Sequence, residues 1–339
     1  MFPLLSPGLF DPVGAVPYTS FGVEKLVTPE CAALALEGAT QSIVLLKNDA
    51  AAAAAAADTA ADTAGTGTAA AAGLSGGLGG DLNTAGDEAS RVETDAVTPL
   101  LPRAANMKAT SKTAAAAAPL LPLSAGTKVA LIGPHFNATT DLLSNYRGDN
   151  NIVYDHSPLL AMARRGKVVG HAFGSGMSDP DESGFAAAVA LAKKADVAVV
   201  FLGLHPQWFD DVPYNDANEG EGRDRANITL PDVQLKLLQA VVGAGTPVVL
   251  VLINGGQLAI PWAKIHVPAI VEAFYPGQMG GDAIAAVLYG DVSPSGRLPY
   301  TMYDDDFVGR RPDIGDMSLS ANGGITCVWL LGNDCEMSE

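Results

Sequence analysis

Basic residues are scarce in this 339-residue chain: 20 lysines and arginines stand against 37 aspartates and glutamates, a formal charge of −17. Such a surface repels phosphate backbones and anionic lipid headgroups, which argues against nucleic-acid and membrane partners. Long apolar runs are missing as well. None approaches the roughly 18 residues a bilayer crossing takes, so the sequence predicts a soluble protein. The opening Met1 to Gly14 has neither the basic n-region nor the apolar h-region of a signal peptide. The three cysteines, Cys31, Cys327 and Cys335, are too few for a disulfide scaffold and form no C-x-x-C pair, so they read as free thiols. His135, His156, His171, His205 and His266 show no H-x-x-x-H or H-E-x-x-H spacing, and neither a protein-built metal centre nor any cofactor is expected. G-x-G-x-x-G and G-x-x-x-x-G-K-[ST] are absent and no G-x-S-x-G nucleophile elbow follows a predicted strand, which removes nucleotide-binding and serine-hydrolase readings. Aromatics are only 6% of the chain while 48% is hydrophobic, because much of the apolar content is alanine in runs. The true core is smaller than the percentage suggests.

Those alanine runs lie mostly in one stretch. From Ala50 to Ala118 the chain is rich in Ala, Gly, Thr and Ser and poor in large apolar residues. It cannot bury enough surface to offset an ordering cost of about 1–2 kcal/mol per residue, and it reads as a low-complexity disordered insertion. On either side the pattern is ordered. Thr28-Pro29-Glu30 is a cap followed by proline, predicting a helix through Gln41. Apolar runs at Ile43 to Leu46, Lys128 to Gly133, Val197 to Leu202, Val248 to Ile253 and Ala269 to Ala273 predict strands, alternating with helices at Glu182 to Lys194, Pro231 to Val242 and Asp282 to Tyr289. Continuous apolar strands suit a sheet covered on both faces, so the expected fold is an α/β sandwich around a mostly parallel sheet of five or six strands. Its domain occupies residues 28–49 and 119–303, with 50–118 inserted, 1–27 a linker and 304–339 an unassigned tail.

In such sheets ligands bind beyond the carboxyl ends of the strands. The loop after Leu202 is the richest in chemistry there: Trp208, Asp210 and Asp211 are followed by Glu219-Gly220-Glu221-Gly222-Arg223-Asp224-Arg225. A carboxyl held against apolar surface has its pKa raised, as a general acid at neutral pH requires. The competing reading is an exposed acidic loop fixed by an Asp224–Arg225 ion pair. Three further loops border the same edge, Gly133 to Gly148, Ile253-Asn254-Gly255-Gly256-Gln257 and Tyr275-Pro276-Gly277-Gln278-Met279-Gly280-Gly281. Their glycines permit either close backbone approach or tight helix–strand packing.

Taken in order, Ser42 to Asp49, Val129 to Pro134, Glu219 to Arg225, Tyr275 to Gln278 and Gly290 to Pro299 resemble the C-terminal α/β sandwich of glycoside hydrolase family 3. Leu9-Phe10-Asp11-Pro12 with Pro17-Tyr18, and Asn137 to Thr140 before Asn145-Tyr146, look most like its plant-type β-xylosidase and α-L-arabinofuranosidase branch. The resemblance spans about Leu9 to Asn48 and Pro122 to Tyr303. It implies a retaining exo-hydrolase of oligosaccharides or glycosides, with an aspartate nucleophile and a glutamate acid/base whose carboxyl groups stand about 5–5.5 Å apart. In the family the nucleophile belongs to a (β/α)8 barrel of about 250 residues, which this chain does not hold, so it reads as truncated and in need of a barrel domain from a longer isoform. By the same resemblance the acid/base falls on Glu219 first and Glu221 second, with Arg225 and a Trp208 platform as substrate contacts. The segment Pro206 to Asn218 departs from the branch by inserting residues ahead of Glu219. A secretory or extracellular location is implied, with Asn137 and Asn227 in sequons. The rival reading is a non-catalytic carbohydrate-binding or structural remnant of such an enzyme.

Overall fold

The computed structural model describes residues 11–22, 25, 28–50, 118–147, 156–206, 217–222, 225 and 227–306. In chain order the elements are α1 (Pro29–Ser42), β1 (Val44–Asn48), β2 (Lys128–Ile132), α2 (Pro158–Arg165), β3 (Lys167–Ala172), α3 (Phe185–Ala192), β4 (Val197–Gly203), β5 (His205–Pro206), β6 (Asn218–Glu219), α4 (Asp232–Val242), β7 (Val248–Ile253), α5 (Pro261–His266), β8 (Ala269–Glu272) and α6 (Gly280–Leu288). Helix α1 starts as its sequence dictates: Thr28 is extended, its hydroxyl oxygen accepts from the Cys31 N–H at 3.2 Å, and Pro29 supplies the preset first turn.

Six strands form the main sheet in the order β1-β8-β7-β4-β2-β3. All its pairs are parallel except β1 with β8. Strands β4 and β7 at its centre are buried along their whole length, the reason their sequences run apolar without alternation. Side-chain alternation then divides one sheet between two cores. Val129, Leu131, Val199, Phe201, Val249 and Val251 pack under α1, α2 and α6. Ala130, Ile132, Val200, Leu202, Leu250 and Leu252 pack under α3, α4 and α5. This is the expected two-layered covering of a mostly parallel sheet.

Three elements of the main sheet and its covering helices escape the sequence reading. Strand β3 is a sheet edge with an alternately half-exposed pattern and a glycine, Gly170, in its middle, so it lacks the continuous apolar run that marks its neighbours. Helices α2 and α5 are short, eight and six residues, and each opens on a proline.

The insertion leaves and re-enters the fold at one place. Ala50 bridges Pro119, Leu120 N–H donates to Asp49 O at 3.1 Å, and the Asn48 amide bonds Leu121 on both its N–H and C=O sides, at 2.9 and 3.0 Å. Residues 51–117, on which the reading of disorder falls, lie outside the described residues. Because β1 and the chain before β2 are already held side by side, excising 51–117 in favour of a four-residue Gly/Ser link should leave the fold intact. Loop closure falls by about 0.6 kcal/mol for each halving of length, so the shortened chain should gain about 2 kcal/mol. A raised denaturation midpoint with unchanged circular dichroism is the expected result, and loss of cooperative unfolding would show that the segment is part of the core.

Candidate active site at the carboxyl edge of the sheet

The site begins where β4 ends. Gly203 has φ +147°, and a Cβ there would stand 1.9 Å from Ile253 O on β7, so only glycine lets the two strands stay paired to their ends. Gln234, buried on α4, pins this point: its Oε1 accepts from Gly203 N–H at 2.8 Å and its Nε2 donates to Gly203 O at 2.9 Å. The chain then departs as β5 and returns as β6, and the two short strands pair in parallel with Pro206 beside Glu219. The extra residues between Pro206 and Asn218 are thus closed off by a strand pair, and Glu219 is carried back to the sheet edge despite them.

Glu219 is buried, and three donors grip its carboxylate. Gly256 N–H donates to Oε2 at 2.8 Å, and Gly255 N–H and the Tyr275 hydroxyl, the latter at 2.5 Å, both donate to Oε1. The two glycines have no substitute: a Cβ on Gly256 would stand 2.8 Å from Oε2, and one on Gly255 would meet the Tyr275 ring at 2.8 Å. Their sequence ambiguity is resolved as close backbone approach to a side chain. Burial first, and then the Glu219 charge, push the Tyr275 phenol well above its ordinary range, so it stays a hydroxyl donor.

Around this carboxylate lies a cavity of about 340 Å³, bordered by Glu219, Asn145, Arg225, Gly255, Gln257 and Tyr275 among others. Ser144, at φ +64°, turns the chain so that Asn145 reaches it. Arg225 braces the rim by donating to Gln257 O at 3.2 Å and Thr229 O at 2.6 Å. Glu221, two residues past Glu219, is exposed on the turn between Gly220 and Gly222, which carry φ +150° and +66°.

Two acidic groups beside the site escape the sequence reading. Asp141 bonds His205 at 2.9 Å and faces His135 at 3.4 Å. Burial pushes its carboxyl up, but hydrogen bonds and charge from the two histidines outweigh this and hold it well below the ordinary range. Glu272, the last residue of β8, is fully buried. Burial drives its carboxyl up to about 8, against the pull of hydrogen bonds from Phe274 and Asn254 and with a push from the Glu219 charge. The signal was present in the sequence: an acid interrupting an apolar strand run at Ala269 to Ala273.

Glu219, Arg225 and the Gly255–Gly256 and Tyr275 loops come together as expected, and Glu221 stands beside them. Trp208, Arg223 and Asp224, and with Asp224 the rival ion pair, lie outside the described residues. Asn137 and Asn227 of the sequons are both exposed.

The description "Glycosyl hydrolase family 3 C-terminal domain" matches residues 115–318. "Probable exo-1,4-beta-xylosidase bxlB" of Aspergillus terreus is 31% identical over 331 residues, 96% of this chain and 32% of that protein. "Beta-D-xylosidase 1" of Arabidopsis thaliana is 37% identical over 198 residues, 58% of this chain and 24% of that one. Among solved structures, a GH3 exo-beta-xylosidase (XlnD) in complex with a xylobiose aziridine probe aligns at a TM-score of 0.52 with 35% identity, covering 59% of this chain and 25% of its own. The Bifidobacterium adolescentis GH3 beta-glucosidase aligns at 0.53 with 26% identity, covering 85% and 31%. The chain therefore spans a quarter to a third of the length of these relatives. With the motif order, the covered parallel sheet and the family match in agreement, this chain belongs to glycosyl hydrolase family 3, whose C-terminal domain it carries.

Proposed function

We propose that this chain supplies the acid/base half of a retaining glycosidase acting on β-xylosides, its nucleophile coming from a barrel domain outside this sequence. The observation that carries the reading is the Glu219–Glu221 turn, held at the carboxyl edge of the sheet beside a cavity. The names of the relatives, exo-xylosidases above all, support the substrate class.

Within that reading the geometry supports a division of labour between the two glutamates. An acid that protonates a departing sugar oxygen needs a carboxyl free to reach it, within about 2.6–3.2 Å. Glu219 has both oxygens engaged by the sheet-edge loops. Glu221 sits on an exposed, glycine-flanked turn that Glu219 anchors. We therefore assign the proton transfer to Glu221 and the anchoring of its turn to Glu219, reversing the order of preference that the resemblance gave. In the first step the barrel's aspartate forms a bond to the anomeric carbon while the glycosidic C–O bond breaks and the Glu221 proton passes to the leaving oxygen. In the second step Glu221 takes a proton from water, which displaces the aspartate.

The experiment is an assay of aryl β-xylosides. The chain alone should give negligible turnover, because one of the two carboxyl groups is missing. Joined to a family 3 barrel it should turn over, and Glu221→Gln should then lower kcat by about 10²-fold or more. Azide should rescue that variant with activated leaving groups, by attacking the glycosyl intermediate without needing a base. Full activity of Glu221→Gln would refute the assignment. Binding of xylo-oligosaccharides with no turnover in the joined protein would instead favour the non-catalytic reading.

A further inference from the structure

Beneath the grip on Glu219 lies a carboxyl group that neither proposed step uses. Glu272 is sealed between β1 and β7, with Val44 and Leu252 at its register, and is wholly inaccessible. Its two oxygens reach the two arms that hold Glu219. On one side Oε1 accepts from Phe274 N–H at 3.0 Å, and Phe274, at φ +53°, makes the tight turn that delivers Tyr275 and its hydroxyl. On the other side Oε2 stands 3.5 Å from Asn254 Nδ2, and that amide donates to Gly256 O at 2.9 Å, closing the turn whose N–H groups face Glu219. All three donors to Glu219 therefore stand on segments that Glu272 touches at their base.

One further atom bears on the state of this group. Asn254 is completely buried, and its Oδ1 is an acceptor with no hydrogen-bond partner among the described residues. A buried acceptor left so is costly unless a neighbour supplies a donor. An ionised Glu272 has none to give. A protonated one carries an O–H beside that same amide.

The groups of titratable or charged character that face Glu272 are Glu219 from the turn after β6 and Tyr300 from the segment after α6. The first raises its pKa, and the Tyr300 phenol is itself pushed up to about 12 by burial and by the charges of Glu272 and Glu219. Its flanking strands offer only aliphatic residues at its register.

We infer that Glu272 is a positioning residue held as the neutral acid, fixing through Asn254 and Phe274 both arms that grip Glu219 and, with them, the turn that bears Glu221. The consequence for catalysis rests on the assignment made above, whereas the positioning itself is testable without turnover. In the ¹⁵N-labelled full chain the amide protons of Gly255 and Gly256 report their bonds to the Glu219 carboxylate by lying far downfield. Glu272→Gln, a neutral isostere whose carbonyl can accept from Phe274 N–H, should keep both resonances in place. Glu272→Ala should move both upfield. In the native chain the two resonances should also shift as pH is raised through the ionisation of Glu272, an alkaline step that Glu272→Gln should lack. Unmoved resonances in a folded Glu272→Ala, or identical alkaline titrations of native and Gln chains, would overturn the inference. If Glu272→Ala does not fold, the native-against-Gln titration decides by itself. Inactivity of the barrel-joined protein with these resonances behaving as described would refute the hydrolase reading and leave the positioning intact.

Discussion

Glu219→Ala should lower the stability of the folded chain by roughly 2–4 kcal/mol, although glutamate-to-alanine on an acidic loop would ordinarily cost almost nothing. The reason lies in what the substitution leaves behind. Gly255 N–H, Gly256 N–H and the Tyr275 hydroxyl all point at the lost carboxylate, and each buried donor deprived of its acceptor costs about 1–3 kcal/mol. Water entering the adjoining cavity replaces part of the loss, which keeps the total toward the lower end of the simple sum. Glu219→Gln should be nearly as damaging, since its NH₂ turns a donor toward donors. Glu221→Ala, on an exposed turn, should stay within about 0.5 kcal/mol of the parent. Two glutamates two residues apart thus give opposite results in one urea titration. Equal midpoints for Glu219→Ala and the parent would show that the grip is not part of the folded state's energy.

The second large effect concerns pH. The folded-state pKa of Glu272, about 8, stands above the unfolded value of 4.5. Between those values the folded chain binds a proton the unfolded chain has lost, so stability falls as pH rises from about 4.5 and levels off above about 8. At about 1.4 kcal/mol per pKa unit the full drop is roughly 3–5 kcal/mol. Glu272→Gln removes the ionisation, and its unfolding free energy should pull ahead of the parent's across that window while matching it near pH 4. Asp141 acts in the opposite direction: its folded pKa is depressed, so its contribution is present above its unfolded pKa and is lost as the solution becomes more acidic. Parallel stability profiles for the parent and Glu272→Gln from pH 4 to 9 would show that Glu272 does not carry the buried proton.

Both predictions depend on contacts between distant parts of the chain, and this separates what could be read early from what could not. The strands at Val197, Val248 and Lys128 were legible because a central parallel strand must be apolar on both faces, so its burial is written into every residue. Edge strand β3 was not, since half its residues face water and Gly170 breaks the pattern. The loops carrying Glu219, Asn254 to Gln257 and Tyr275 were legible as a set, because a parallel sheet gathers the carboxyl ends of its strands at one edge. Which of Glu219 and Glu221 those loops grip was not. Two carboxylates in one short motif have the same chemistry until something decides which is gripped.

The amino-acid sequence by itself determined the layered α/β fold, the edge at which its glycine-rich and acidic loops gather and kinship with a family of glycosidases. Each of these rests on local composition, periodicity or motif order. Only the tertiary structure decided that Glu219 is gripped by two glycine amides and a tyrosine, that Glu272 lies sealed beneath them, and that Asp141 joins two histidines. The bonds that grip Glu219 run between residues 36, 37 and 56 apart, and a hydrogen bond depends on a separation of about 3 Å that no spacing along the chain encodes.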